Sequence, residues 1–89
     1  MKRAKLTAEH DSMDKIYAQL ATDLALPAHF GRNLDALWDA LLRDVKGPFE
    51  IVWPGASSAG KIIGPKFKAL LALLAELEEA RDDFKFKRR

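Results

Sequence analysis

Three short stretches of the chain alternate between apolar and polar residues, and this alternation constrains the fold more than any other feature. The stretches span residues 2–7, 49–53 and 84–87. Such alternation is typical of β-strands that bury one face and leave the other in water. The segments between them are long enough for helices, which favours right-handed parallel crossovers. We therefore expect a two-layer α/β fold with the helices packed on one face of a sheet.

Apolar stripes with a helical period occupy the intervening segments. They predict a first helix from residue 11 or 12 to 24, a second over 33–45 and a third over 65–80. The inward side of the third helix should carry Phe67, Leu70, Leu71, Leu74 and Leu77. Residues 54–64 contain glycine and serine, and there we expect a surface connection with at most a short helical turn.

Size and residue content exclude several classes of protein. With 89 residues, 48% of them hydrophobic, the chain can form a single domain over residues 1–89 with one thin core. It has no Cys, which excludes disulfide scaffolds and cysteine nucleophiles. The longest apolar run, residues 69–75, is far shorter than the ~20 residues that span a bilayer. The charged N-terminus leads into no apolar segment, so we expect a soluble cytoplasmic protein without membrane contact.

The charge of the chain is unevenly distributed. The net charge is +2, but the two basic ends leave residues 9–83 acidic. The basic residues of the ends and of the open sheet face are Arg3, Lys5, Lys85, Lys87, Arg88 and Arg89. They keep open the alternative of a nucleic-acid-binding module. Against it, Phe84 and Phe86 alternate with lysines and should point into the core, which leaves no aromatic platform for stacking bases.

Two patterns that could hold a cofactor or a metal are incomplete. Residues 55–61 read Gly-Ala-Ser-Ser-Ala-Gly-Lys, the first seven positions of a phosphate-binding loop, but the eighth is Ile62 instead of the hydroxyl residue that holds magnesium. Gly64 and Pro65 then interrupt the chain. His10 and His29 have no neighbours at metal-ligand spacing. We expect no cofactor, no metal and no catalytic residue.

The acidic residues of the second helix are a further candidate. Asp35 and Asp39 are four residues apart and therefore share one helix face. Asp35 lies in the first turn, where the helix dipole favours a carboxylate. Asp39 can pair with Arg43, one turn later. From the residues alone, a solvated helix face and a functional acidic patch both stay open.

Residues 24–41, LALPAHFGRNLDALWDAL, strongly resemble the barstar family of intracellular ribonuclease inhibitors. The Gly31–Asp39 core is long and specific, and the order of elements and Trp53 at the end of the second strand also fit. The resemblance implies a three-stranded parallel sheet packed on helices. It also implies an immunity protein, not an enzyme, that occludes the active site of a small secreted barnase-like ribonuclease. We expect a 1:1 complex, a monomer when free, and no nucleic acid as partner.

The same resemblance implies a contact surface. Asp39 is expected to be the central anion, in the place of a substrate phosphate, and Asp35 and Glu76 are expected beside it. The remaining contact residues implied are His29, Phe30, Gly31, Asn33 and Trp38. His29 stands where the family typically carries Tyr.

Overall fold

The computed structural model of the protein describes residues 1–27 and 30–88. The elements in chain order are β1 (Lys2–Lys5), α1 (Met13–Asp23), α2 (Leu34–Asp39), a π-helical turn (Ala40–Asp44), β2 (Phe49–Trp53), α3 (Ala56–Ile63), α4 (Pro65–Ala80) and β3 (Phe84–Arg88). We call the segment Ala40–Asp44 the π-turn. None of the helices within the described residues is long and apolar enough to cross a membrane.

The three strands form one parallel sheet in the order β1-β2-β3. On the helix-covered face, Ala4 lies beside Ile51, which lies beside Phe86. Phe49, Ile51 and Trp53 of β2 are fully buried, because this strand is central and its apolar side meets the helices. The sequence prediction of an α/β fold with a three-stranded parallel sheet is confirmed.

Helix α1 begins and ends at recognisable signals. The Ser12 side chain caps its N-terminus by accepting a hydrogen bond from the Lys15 N–H. At the C-terminus, Ala25 adopts a left-handed conformation with φ 54°. Leu26 then donates its N–H to the carbonyl of Ala21. This is a Schellman motif, in which glycine usually occupies the left-handed position.

Helix α2 is shorter than the sequence predicts. Asn33 caps it and accepts the Ala36 N–H at 2.7 Å, as expected for this residue type. After Asp39 the backbone widens into the π-turn, which the Val45 N–H closes on the carbonyl of Ala40 at 3.2 Å. The prediction of one uninterrupted helix over 33–45 is therefore wrong from residue 40 onward.

Arg81, at the end of α4, holds the widened backbone. Its Nη1 donates to the carbonyls of Leu41 at 2.9 Å and Val45 at 2.7 Å. Its Nε and Nη2 donate to the Asp83 carboxylate, and its guanidinium lies 4.9 Å from the centre of the Phe49 ring. A cation at the C-terminal end of a helix also complements the helix dipole. This distant contact explains why local periodicity did not indicate the π-turn.

Most of the segment 54–64 forms helix α3 (Ala56–Ile63), so the expectation of a surface connection with at most a short helical turn is wrong. Its small residues are packing residues: Ala56, Ala59 and Gly60 are buried. A Cβ at Gly60 would collide with the Phe67 ring, so α3 and α4 approach closely only because this residue is glycine. Gly55, with φ 81°, turns the chain from β2 into α3.

Helix α4 has the predicted bounds and an inward stripe close to the predicted one. Leu70, Leu74 and Leu77 are buried, and Phe67 packs against the core. Leu73 also packs against the core, although the predicted stripe contained Leu71 instead.

Candidate functional site

The loop before α2 is fastened to the helix by its own residues. Asn33 uses both ends of its amide, because Oδ1 accepts the Ala36 N–H and Nδ2 donates to the carbonyl of Gly31 at 3.3 Å. Arg32, between them, is exposed and has a left-handed backbone with φ 49°. The motif Gly-x-Asn therefore builds a compact entry to the helix.

Aromatic residues anchor this region to the core. Phe30 is half-buried and meets the buried Tyr17 ring edge-to-face, with 5.7 Å between the ring centres. Trp38 is half-buried and packs against the core. Both predicted contact residues thus combine a packed side with an accessible one. Burial, followed by the nearby Asp14 charge, raises the pKa of Tyr17 above its ordinary value.

Between the loop and the helix lies a cavity of about 200 Å³, which we call the acidic cleft. Its lining residues are Pro27, Phe30, Gly31, Ala36, Asp39, Ala40 and Asp44. Three of the predicted contact residues, Phe30, Gly31 and Asp39, are brought together here. Asp44 joins them, although the sequence reasoning did not include it among the contact residues.

The Asp39 carboxylate is accessible and paired. It accepts a hydrogen bond from Arg43 Nη1 at 2.8 Å, as the four-residue spacing predicts. The Asp39 side chain is 64% exposed and that of Arg43 is 68% exposed. An ion pair this exposed contributes little to stability. A cation from another molecule can therefore replace Arg43 at small cost.

Asp35 lines a different cavity, of about 370 Å³, which we call the mixed cleft. Its lining residues are Met13, Asp14, Tyr17, Arg32, Asn33, Leu34, Asp35 and Lys66. This cleft carries charges of both signs, unlike the acidic cleft. Asp35 and Asp39 are one helical turn apart on α2, yet they line two different cavities.

Glu76 lies apart from both clefts. Glu76 is exposed on α4, the helix that packs beside α2, and it lines neither cleft. His29 lies outside the described residues. Glu78, two residues after Glu76, accepts the Phe86 N–H at 2.9 Å and so joins α4 to β3.

The open sheet face carries an ion-pair network. Glu50 points to this face as predicted, yet it is only 3% exposed. Arg3 Nε donates to its Oε2 at 2.5 Å, and Lys87 Nζ lies 3.5 Å from its Oε1. The hydrogen bond from Arg3, opposed by desolvation, holds the pKa of Glu50 below its ordinary value. A central carboxylate thus neutralises part of the basic surface.

The aromatic residues of β3 give the basic face no stacking platform. Phe84 is buried and Phe86 packs against the core, so both lie on the helix-covered side as predicted. The open-face groove is instead lined by Arg3, Lys5, Glu50, Val52 and Lys87.

The phosphate-loop pattern of residues 55–61 has no loop geometry. A phosphate-binding loop wraps its backbone N–H groups around an anion before its helix begins. Here α3 begins at Ala56, so the N–H groups of residues 59 and 60 are directed along the helix. Gly60 is buried against Phe67.

His10 has a structural environment. Its Nδ1 accepts the Thr7 N–H at 3.0 Å, and its Nε2 lies 3.3 Å from Gln19 Oε1. The same turn meets β2, because Trp53 Nε1 donates to the carbonyl of Thr7 at 2.9 Å. In the described part of the chain, no three His, Asp or Glu side chains are grouped so that they could hold a metal ion.

Fold and surface together define a small α/β protein with an acidic cleft beside a capped helix. The family model described as "Barstar (barnase inhibitor)" matches residues 3–88. The chain belongs to the barstar family. A protein of Bacillus subtilis (strain 168) named "Putative ribonuclease inhibitor YrdF" is 31% identical over 78 residues, which cover 86% of each chain. Proteins of this family are inhibitors, so the chain is not an enzyme.

Proposed function

We propose that the protein inhibits a small, secreted, barnase-like ribonuclease by occluding its active site in a 1:1 complex, and that it does so in the cytoplasm of the producing cell. The observation that carries this proposal is the acidic cleft, in which the motif residues Phe30, Gly31 and Asp39 come together. Membership in a family of barnase inhibitors supports the same assignment.

The cleft has the properties that a phosphate-mimicking surface needs. A ribonuclease binds an anionic backbone, so its active site must present cationic side chains to the phosphate. Asp39 stands on a helix whose start is fixed by Asn33, and its carboxylate is mostly accessible. A carboxylate held in place before binding meets such cations without a large ordering cost.

The other residues of the proposed surface have graded roles. Asp35 in the mixed cleft and Glu76 on α4 are more peripheral carboxylates that steer association and add contacts at the edge. Phe30 and Trp38 contribute apolar area, while Gly31 and Asn33 shape the loop. His29 extends the surface in our proposal, at the position where the family typically carries Tyr.

The central test replaces Asp39 by Ala. In a complex, removal of this carboxylate leaves the partner's cations buried and unpaired, which costs about 2–5 kcal/mol and acts mostly through faster dissociation. In the free protein, Asp39 is exposed, so the free energy of unfolding should change by only a few tenths of a kcal/mol. The measurements are inhibition and dissociation constants with barnase and with ribonucleases that the immobilised protein captures from secreted fractions. Urea melts of the free wild type and variants give the free energies of unfolding. Asp82→Ala, which removes an exposed carboxylate elsewhere, is the matched control.

Two results would contradict the proposal. If Asp39→Ala inhibits as well as the wild type, the acidic cleft is not the contact surface. If the wild type binds RNA tightly, with strong salt dependence that is lost in the Lys85→Gln/Lys87→Gln variant, the basic open face is the functional surface. The second result would favour the nucleic-acid-binding alternative.

A further inference from the structure

We propose that Asp44 is a second anionic contact in the acidic cleft and that the cleft receives one arginine side chain of the partner, between Asp39 and Asp44. The inference rests on the proposed function for the identity of the partner. That the cleft is a binding site for a guanidinium group follows from the shape and charge of the cleft itself.

The π-turn is what brings Asp44 into the cleft. In an α-helix, residues five apart are separated by about 140° around the axis, so Asp39 and Asp44 would diverge. A π-helical turn closes between residues five apart and therefore returns them to nearly the same side. The bond from the Val45 N–H to the carbonyl of Ala40 is of this kind, and both aspartates line one cavity.

The walls of the cleft suit the stem of a long side chain. Gly31, Ala36 and Ala40 are small and leave the space open, and the half-buried Phe30 ring forms an apolar wall. A Cβ added to Gly31 would lie 3.4 Å from the Cβ of Ala36, so even one methyl group would narrow the opening. An aromatic wall beside two carboxylates favours a planar guanidinium, which can stack and donate several hydrogen bonds at once.

The charge balance also favours a second carboxylate. Asp39 is already paired with Arg43, so this pair alone presents little net charge to an incoming cation. Asp44 is exposed, and the salt bridges found among residues 1–27 and 30–88 do not include it. The three side chains together carry one net negative charge, which a single guanidinium neutralises.

Binding of a guanidinium group to the acidic cleft can be tested without the ribonuclease, by ¹⁵N NMR titration of the protein with Nα-acetyl-L-arginine amide. We expect saturating shifts at the amides of Gly31, Ala36 and Ala40, and an affinity about five-fold or more lower for Asp44→Asn. The neutral isostere acetyl-citrulline amide should not shift these amides. Asp82→Asn, which neutralises an exposed carboxylate outside the cleft, should bind the arginine probe like the wild type. Gly31→Ala should weaken binding by narrowing the cleft.

Several outcomes would overturn the inference. The first two are that Asp44→Asn binds the arginine probe as tightly as the wild type, or that the chemical shift changes lie outside the cleft. The other two are that the citrulline probe causes equal shift changes, or that acetyl-lysine amide binds more tightly than the arginine probe. A parallel inhibition assay separates the two proposals. If the wild type inhibits a ribonuclease and Asp44→Asn inhibits it equally, Asp44 fails and the proposed function stands. If the arginine probe binds in the cleft through Asp44, but the wild type inhibits neither barnase nor any secreted ribonuclease, the proposed function fails and the guanidinium-binding site stands.

Discussion

Replacing Arg81 by Ala should destabilise the protein by about 3.5–4 kcal/mol, although the residue lies near the surface and outside the acidic cleft. Arg81 is the only described side chain that donates hydrogen bonds to the carbonyls of the π-turn and its exit, and its side chain is 14% exposed. The loss would be a large share of the ~5–15 kcal/mol by which a small domain is stable.

The magnitude follows from the contacts. Two hydrogen bonds from the charged guanidinium, to Leu41 at 2.9 Å and to Val45 at 2.7 Å, contribute about 1.5 kcal/mol each at the lower end of the range for charged donors. The lower end applies because water can reach the carbonyls once the side chain is removed. The contact at 3.5 Å to Leu42 is at the limit of a hydrogen bond and adds nothing. The Phe49 ring, 4.9 Å away, adds about 0.5–1 kcal/mol.

The assay is a urea melt that compares the free energies of unfolding of the wild type, Arg81→Ala, Arg81→Lys and Asp83→Asn. Lysine keeps the positive charge but lacks the planar guanidinium group with its several N–H donors, so it should recover less than half of the lost free energy of unfolding. Asp83→Asn removes only the ion-pair partner of Arg81 and should destabilise much less than Arg81→Ala. A cost below about 1 kcal/mol for Arg81→Ala, or full recovery by Lys, would refute the assigned role.

Three further predictions concern stability. The pKa of Glu50 is held below its ordinary value of 4.5 by Arg3, so the ion pair stabilises the fold above that pH and its contribution is lost as the pH falls through the lower folded pKa. Urea midpoints of the wild type should therefore fall more steeply between about pH 5 and pH 3 than those of Glu50→Gln, and parallel curves would contradict this. Ala25 has a left-handed backbone that glycine adopts without strain, so Ala25→Gly should raise the thermal midpoint and add about 0.5–1 kcal/mol to the free energy of unfolding. An unchanged or lower midpoint would count against strain at this position. Gly60→Ala should lower the free energy of unfolding by about 1–3 kcal/mol because the added methyl group meets the Phe67 ring. Adding Phe67→Leu to this variant should recover part of the loss, whereas an unchanged stability of Gly60→Ala would mean that the ring can move aside.

Short-range signals were sufficient for most of the fold. Alternation placed the three strands, because a half-buried strand needs a period of two wherever it lies in the chain. Ser12, Asn33 and Pro65 marked the starts of three helices, since a cap acts on backbone groups within three residues of itself. The resemblance of residues 24–41 to a family indicated the kind of partner and the loop–helix region that forms the acidic cleft.

Tertiary contacts decided what the local patterns could not. Arg81, which is 36 residues after Val45 in the sequence, donates hydrogen bonds to the π-turn and its exit. The π-turn in turn brings Asp44 to the cavity that Asp39 also lines. Glu50 is buried on the central strand, where its carboxylate pairs with Arg3, 47 residues away, and with Lys87 on the two neighbouring strands. Helix α3 is stabilised by close packing against α4, whereas its glycine and serine residues locally favour a turn. In each case the favourable free energy arises between groups that are distant in the chain, so no window of the sequence contains both partners.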